Sequence, residues 1–259
     1  MNALERREKI LEILHNQGRV EVKQLFETFS TSEVTIRADL RTLEQEHKLK
    51  RFHGGAQSLE SLPNMIKKSE EETKLENRYD INASAKERIA TRAVQFIKEG
   101  SSVIFDSGST THLVAKHIAG QGNIIAITNN LPVADALADA EDVTLVICGG
   151  TYRSKTKSLH GSKAEQCMEG VSADILFIGA DGIEPDKGIT TFNDGYAISG
   201  VMAQCAKTII AVIDSTKFGR IGFNKVLDTS VIDILITDNG ISKEYEKAFK
   251  AKGVEVIVA

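Results

Sequence analysis

From Ser84 to the carboxyl terminus, short Val- and Ile-rich runs recur between stretches of helical spacing, and this alternation limits the possible fold more than any other feature of the 259-residue chain. The runs fall at Ser102–Phe105, Asn123–Ile127, Val143–Cys148, Ala173–Ile178, Thr208–Ile213, Val231–Ile236 and Val254–Val258. Between them lie helical stretches at Ala85–Ile97, His112–Ile118, Pro132–Asp139, Asp194–Ala206 and Lys243–Ala251. Near-continuous apolar strands need cover on both faces, and strand–helix repeats supply it, so the expected class is α/β with an open, mostly parallel sheet. Ligands of such sheets sit at the carboxyl ends of the strands.

The first third of the chain follows a different rule. Ile10, Leu11, Ile13 and Leu14 lie at helical spacing within residues 4–17, and Gly18 stands where a helix would end. Val22, Leu25, Phe26 and Phe29 form a second stripe at i, i+3, i+4, i+7. Ser30-Thr31 has room only for a turn. Ser32 then caps a third helix running to Glu46, its hydroxyl accepting the amide near Thr35, with Glu33 favoured in the first turn by the helix dipole. Ile36, Leu40 and Leu43 share its inner face; Val34, Thr35, Arg37, Ala38, Arg41 and Thr42 spread over the outer one. Lys48 to Gly55 reads as a short basic β-hairpin, a wing. The expected domains are a winged helix-turn-helix over residues 1–57, a polar linker over 58–82, and the α/β domain over 83–259.

A helix presented in this way enters the major groove of DNA, so Ser32, Thr35, Arg37, Ala38 and Arg41 are expected at the interface, Arg37 on a guanine edge. Lys48, Lys50, Arg51 and His53 of the wing would hold phosphates. Net charge argues that such contacts are local. The chain carries −4, while residues 1–56, with 10 basic and 9 acidic side chains, carry only +1. Three cysteines, Cys148, Cys167 and Cys205, are odd in number and unpaired in spacing, which points to reduced thiols. The histidines lack ligand spacing. No metal, cofactor or membrane span is expected, and the charged first ten residues place the chain in the cytoplasm.

In the second domain, Asp106-Ser107-Gly108-Ser109-Thr110-Thr111 follows a strand directly and opens a helix, a pattern that lets backbone amides approach an anion. Thr128-Asn129-Asn130, Gly149-Gly150 and Gly179-Ala180-Asp181-Gly182 also follow strands and would gather at the same sheet edge, joined by Asn193, Asp194 and Lys217. Small residues, hydrogen-bonding groups and a lysine suit a polyhydroxylated anion. Asp181, Glu184, Asp186 and Asp194 leave a second reading open, acid–base isomerisation of a sugar phosphate by an enzyme carrying a DNA-binding appendage.

The strings Glu5-Arg6-Arg7-Glu8-Lys9-Ile10, Thr35-Ile36-Arg37-Ala38-Asp39-Leu40 and Arg51-Phe52-His53-Gly54-Gly55-Ala56 resemble the amino-terminal domain of DeoR-type bacterial transcription regulators. The clusters above, with Thr191-Phe192-Asn193-Asp194 and Asp214-Ser215-Thr216-Lys217-Phe218, resemble that family's sugar-phosphate sensor, so the likeness spans nearly the whole chain. Among its members the strings are most similar to repressors of hexitol operons, galactitol included, and of amino-sugar operons. The resemblance implies repression of a catabolic operon, operator DNA as partner, a galactitol- or tagatose-type phosphate as effector, and a homodimer or homotetramer. It puts DNA contact on residues 20–39 and phosphate on Asp106 to Thr111 and Lys217. The chain departs from the family pattern at Ala38, where many members carry a second arginine. The sensor fold also resembles ribose-5-phosphate isomerase, but the position thirteen residues past Asp181 is Asp194 rather than that enzyme's lysine, which argues against isomerase activity.

Overall fold

The computed structural model describes residues 3–17, 19–29, 31–45, 48–52, 55–58, 73–118, 122–193 and 197–259. The chain divides into two compact units, Met1–Glu70 and Glu71–Ala259.

The first unit runs α1 (Ala3–Gln17), β1 (Arg19–Glu21), α2 (Val22–Phe29), α3 (Glu33–Gln45), β2 (Leu49–Phe52) and β3 (Gly55–Ser58). The three helical stripes meet, except that Phe26 of the second is left exposed. Ile10 and Leu14 of α1, Val22 and Leu25 of α2, and Ile36, Leu40 and Leu43 of α3 form one buried cluster, closed by Val20, Leu49 and Ala56. Ser32 caps α3 as expected, its Oγ accepting the Thr35 amide at 3.1 Å. The wing extends beyond the expected hairpin. β3 reaches Ser58 and pairs on its other edge with β1, Val20 opposite Ala56, so Ser58 belongs to a three-stranded sheet rather than to the linker.

The second unit begins with α4 (Leu75–Asp80) and α5 (Ala83–Val94), then β4 (Ser102–Phe105), α6 (Ser109–Lys116), β5 (Ile124–Thr128), α7 (Leu131–Leu137) and β6 (Val143–Ile147). A hairpin of β7 (Thr151–Arg153) and β8 (Ser158–His160) leads to α8 (Ser162–Gln166), β9 (Ala173–Ile178), β10 (Gly182–Glu184) and β11 (Gly188–Thr191). The chain ends with α9 (Ala197–Gln204), β12 (Ala206–Val212), β13 (Asn224–Leu227), β14 (Ile234–Thr237), α10 (Lys243–Ala251) and β15 (Glu255–Val258). Among the described residues all seven expected long strands form one parallel sheet in the order β15-β14-β12-β9-β4-β5-β6.

Strand residues alternate between two cores. Val103, Phe105, Ile175, Phe177, Ile210 and Val212 face α5, α6 and α7. Ile104, Leu176, Ile178, Ile209 and Ala211 face α8, α9 and α10, together with Ile183, Ile189 and Leu227 of a small sheet ordered β10-β11-β13. Its strands, three to four residues long, carry too little periodicity to be legible in sequence. Gly188, at φ +76°, lies so close to β13 that a Cβ would stand 1.9 Å from the Leu227 carbonyl oxygen.

The linker expected over 58–82 also ends early. Leu75 is buried, its amide bonds the Lys155 carbonyl at 2.9 Å, and α4 is part of the second unit. Two of its charged side chains have partners in that unit, Glu76 on Lys157 at 2.9 Å and Arg78 on Asp181 at 3.0 Å.

Candidate functional site

The outer face of α3 carries the expected side chains. Val34 is 77% exposed, Ser32, Arg37, Ala38 and Arg41 are exposed, and Thr35 is half-buried. Arg37 is held one turn back by Glu33, Nη2 to Oε2 at 3.0 Å, which extends the guanidinium along the helix surface. Lys48 precedes the wing and is exposed; Lys50 and Arg51 lie on β2; His53 falls outside the described residues. One residue that composition gave no reason to single out sets this face in place. Asp39 is 2% exposed and takes Arg6 Nε at 2.6 Å and Arg7 Nε at 3.0 Å, tying α3 to α1 from behind.

In the second unit a cleft opens at the carboxyl ends of β4, β9 and β12, where the strand order reverses. Its floor is the turn after β4. Helix α6 starts at Ser109, three residues earlier than the apolar spacing predicts, so Ser109 and Thr110 sit in the first turn, whose amides have no acceptor within the helix. Asp106 anchors the turn, its Oδ1 accepting the Ser107 amide at 2.7 Å and Ser199 Oγ at 3.0 Å. Asp181, Asn193 and Lys217 also line the cleft, whereas Asp194 falls outside the described residues.

Other expected ligand groups are spent on the scaffold. Thr128 Oγ1 donates to the Phe105 carbonyl at 2.8 Å, and Asn129 Nδ2 donates to Leu159 at 2.9 Å. Asn130 caps α7 through Val133 and grips the Thr156 carbonyl at 3.0 Å. Thr111 is fully buried on the Gly108 carbonyl. Gly150, at φ +136°, passes so close to His160 that a Cβ would lie 2.6 Å from its carbonyl oxygen, and neither Gly149 nor Gly150 lines the cleft. These residues fix the β7–β8 hairpin against the sheet, which then sets Thr156 on the cleft wall.

Arg78 and Lys86, unanticipated from sequence, line the cleft beside Lys217. Lys86 had a signal: it lies on the buried stripe of α5 with Ile89, Ala90 and Ala93, where a lysine has no apolar reason to be. Arg78 Nη1 meets Asp181 Oδ1 at 3.0 Å, and Asp181 Oδ2 takes Thr191 Oγ1 at 2.7 Å and the Phe192 amide at 3.1 Å. Burial alone would raise the Asp181 pKa; Arg78, those two donors and Lys217 outweigh it and hold the carboxyl below its ordinary value. Burial, aided by Arg220 and Arg78, lowers Lys217 to about 8 against the pull of Asp214 and Asp181. Asp106 is raised to about 6, chiefly by burial, with the Asp181 charge adding to it. Asp214 accepts Thr216 N at 3.1 Å and Asn82 Nδ2 at 3.4 Å on Oδ1, while its Oδ2 is buried with no hydrogen-bond partner among the described residues.

The raised Asp106 pKa makes a stability prediction. A carboxyl with a folded pKa near 6 and an ordinary value of 3.8 favours the folded state fully below about 4, and that contribution is lost as pH rises through 6. Asp106→Asn is therefore expected to stabilise the unit by about 1–3 kcal/mol at pH 7.5, and by less at pH 5. Thermal melts at the two pH values check this; an equal or larger gain at pH 5 would contradict it.

Of the four carboxylates that suggested acid–base chemistry, the three described ones are already bound to protein groups. Asp181 is held on both oxygens, Glu184 accepts Tyr245 Oη at 2.7 Å, and Asp186 pairs with Lys252 at 2.8 Å.

Residues 6–62 match the DeoR-like helix-turn-helix domain, and residues 81–239 match the DeoR C terminal sensor domain. The chain belongs to the DeoR family. The putative aga operon transcriptional repressor of Escherichia coli O157:H7 is 38% identical over 255 residues, 98% of this chain and 93% of that one. The glycerol-3-phosphate regulon repressor of Escherichia coli K12 is 30% identical over 239 residues, 92% of each chain. Among solved structures, ribose 5-phosphate isomerase A from Methanocaldococcus jannaschii aligns with a TM-score of 0.41 at 17% identity, over 53% of this chain and 55% of that one. The first unit of this DeoR-family regulator is thus its DNA-binding helix-turn-helix, the second its sensor, and its named relatives are transcriptional regulators. No described helix is long and apolar enough to cross a membrane.

Proposed function

We propose that the chain represses a sugar catabolic operon as a homo-oligomer and that a phosphorylated sugar, of galactitol or tagatose type, changes its operator affinity by binding the sensor cleft. The observation that carries this reading is the joining, in one chain, of an outward-facing reading helix and a cleft in which Arg78, Lys86 and Lys217 surround an α6 amide turn. The phosphate would take Lys217 and the Ser107–Thr110 turn. A hydroxyl of the sugar would meet the buried Asp214 Oδ2, whose lack of a donor otherwise costs free energy. Names of the relatives support the class of ligand, one referring to a phosphate ester. Purified protein titrated with hexose, hexitol and amino-sugar phosphates should show one that shifts operator binding and sensor melting; no response to any of them refutes the sensing half.

The Lys217 pKa sets the pH dependence. Lys217 is a cation below about 8 and neutral above it, while a phosphate monoester is a dianion above about 6. Affinity for the effective sugar phosphate is expected to hold between these limits and to fall about ten-fold from pH 7 to pH 9. Calorimetric titration measures it, and Lys217→Met should weaken binding and flatten the alkaline fall. An unchanged fall in Lys217→Met would assign the titration to another group.

A further inference from the structure

The cleft is tied to the stretch by which the chain arrives from the DNA-binding unit. Arg78 binds in two directions: Nη1 to Asp181 on the cleft wall, and Nε to the Thr73 carbonyl of its own segment at 2.7 Å. Lys86 Nζ donates to the Arg78 carbonyl, and Asn82 reaches Asp214. A displacement of the Arg78 guanidinium is therefore transmitted to the backbone of residues 73–82. Asp181 is not left bare if Arg78 departs, because Thr191 Oγ1, the Phe192 amide and the charge of Lys217 remain with it. The Arg78–Asp181 pair lies within a cleft crowded by cations, its side chains 12% and 9% exposed, where a guanidinium prefers the more highly charged of two competing anions.

We propose that Arg78 is a ligand-binding residue that changes partner, leaving Asp181 for the anionic group of the ligand, and that residues 73–82 move with it. This rests on reading the cleft as a phosphate-ester site. It adds that the ligand is sensed at the segment joining sensor and reader, and that Asp181 is the ligand's competitor rather than its partner.

The test uses the full chain with inorganic phosphate as probe at constant ionic strength, followed by calorimetry and by hydrogen exchange of peptides covering residues 73–90. Arg78→Gln should weaken phosphate about ten-fold or more, with Arg78→Lys recovering part of the loss. Asp181→Asn removes the competitor and should tighten phosphate several-fold. Phosphate should alter exchange at residues 73–82 in the unmodified protein and leave it unchanged in Arg78→Gln. Wild-type affinity in Arg78→Gln overturns the proposal, as does weakened binding in an Asp181→Asn protein of normal melting temperature. If Asp181→Asn does not fold, the Arg78 variants and the exchange data decide. Loss of phosphate binding in Lys217→Met but not in Arg78→Gln defeats this inference and leaves the phosphate-site reading standing; failure of both phosphate and sugar phosphates to bind the unmodified protein defeats both.

Discussion

Asp39→Ala is expected to unfold the helix-turn-helix unit and leave the sensor's melting unchanged. Asp39 is buried on the inner side of α3 and bears two arginines of α1, Arg6 at 11% side-chain exposure and Arg7 at 30%. Removing one partner of a buried pair strands the other's charge, at a cost of about 3–5 kcal/mol. Small domains have about 5 kcal/mol of stability or less to lose. Operator binding should disappear in gel shifts, the transition of the smaller unit should vanish from calorimetry or fall steeply in temperature, and any stabilisation of the sensor by ligand should persist. Unchanged operator affinity would show that the apolar cluster of Ile10, Leu25, Ile36 and Leu40 positions α3 without the ion pairs.

Arg37→Ala is expected to cost about 1–3 kcal/mol of sequence discrimination for each half-site read, about ten- to a hundred-fold, and more when two copies of α3 engage one operator. Arg37 stands on the exposed face, and its half-exposed pair with Glu33 is weak enough to be exchanged for a base. Lys50→Ala, on the wing strand, should weaken specific and random DNA alike and lower the salt dependence. Competition gel shifts on operator and scrambled duplexes at two salt concentrations separate the two behaviours. Equal losses on both duplexes for both variants would deny that one residue reads bases and the other holds backbone.

The seven long strands were legible because each is a largely apolar run, whether buried inside the sheet like β9 and β14 or part-exposed at its edges like β6 and β15, and the three helical stripes of the first unit because Ile10 and Leu14, Val22 and Leu25, and Ile36, Leu40 and Leu43 recur with helical period within their own helices. The cleft was legible where backbone chemistry marks it, at Asp106 to Thr110, and where small or polar groups follow a strand, at Gly179 to Asp181, Asn193 and Lys217. Thr128, Asn129 and Asn130 have the composition of binding groups and serve as braces, because a sequence shows what a side chain can bond and not which carbonyl reaches it first. Arg78 was hidden for the opposite reason. Its neighbours are polar, six-residue α4 is too short to show a period, and its partner Asp181 lies about a hundred positions away in the chain.

The order of strands in the sensor sheet has a consequence for synthesis. β4 sits beside β9, with Val103 opposite Ile175, and Lys217 reaches the cleft from beyond β12, whereas the helix-turn-helix is complete by Ser58. At about 5–20 residues per second, the ribosome needs roughly ten to forty seconds to add what the sensor still lacks. During that interval a growing copy has a finished DNA-reading helix and an incomplete sensor cleft. Long-range pairing therefore gives every molecule an early phase without a finished sensor, and the number of copies in it rises with the rate at which the cell makes them.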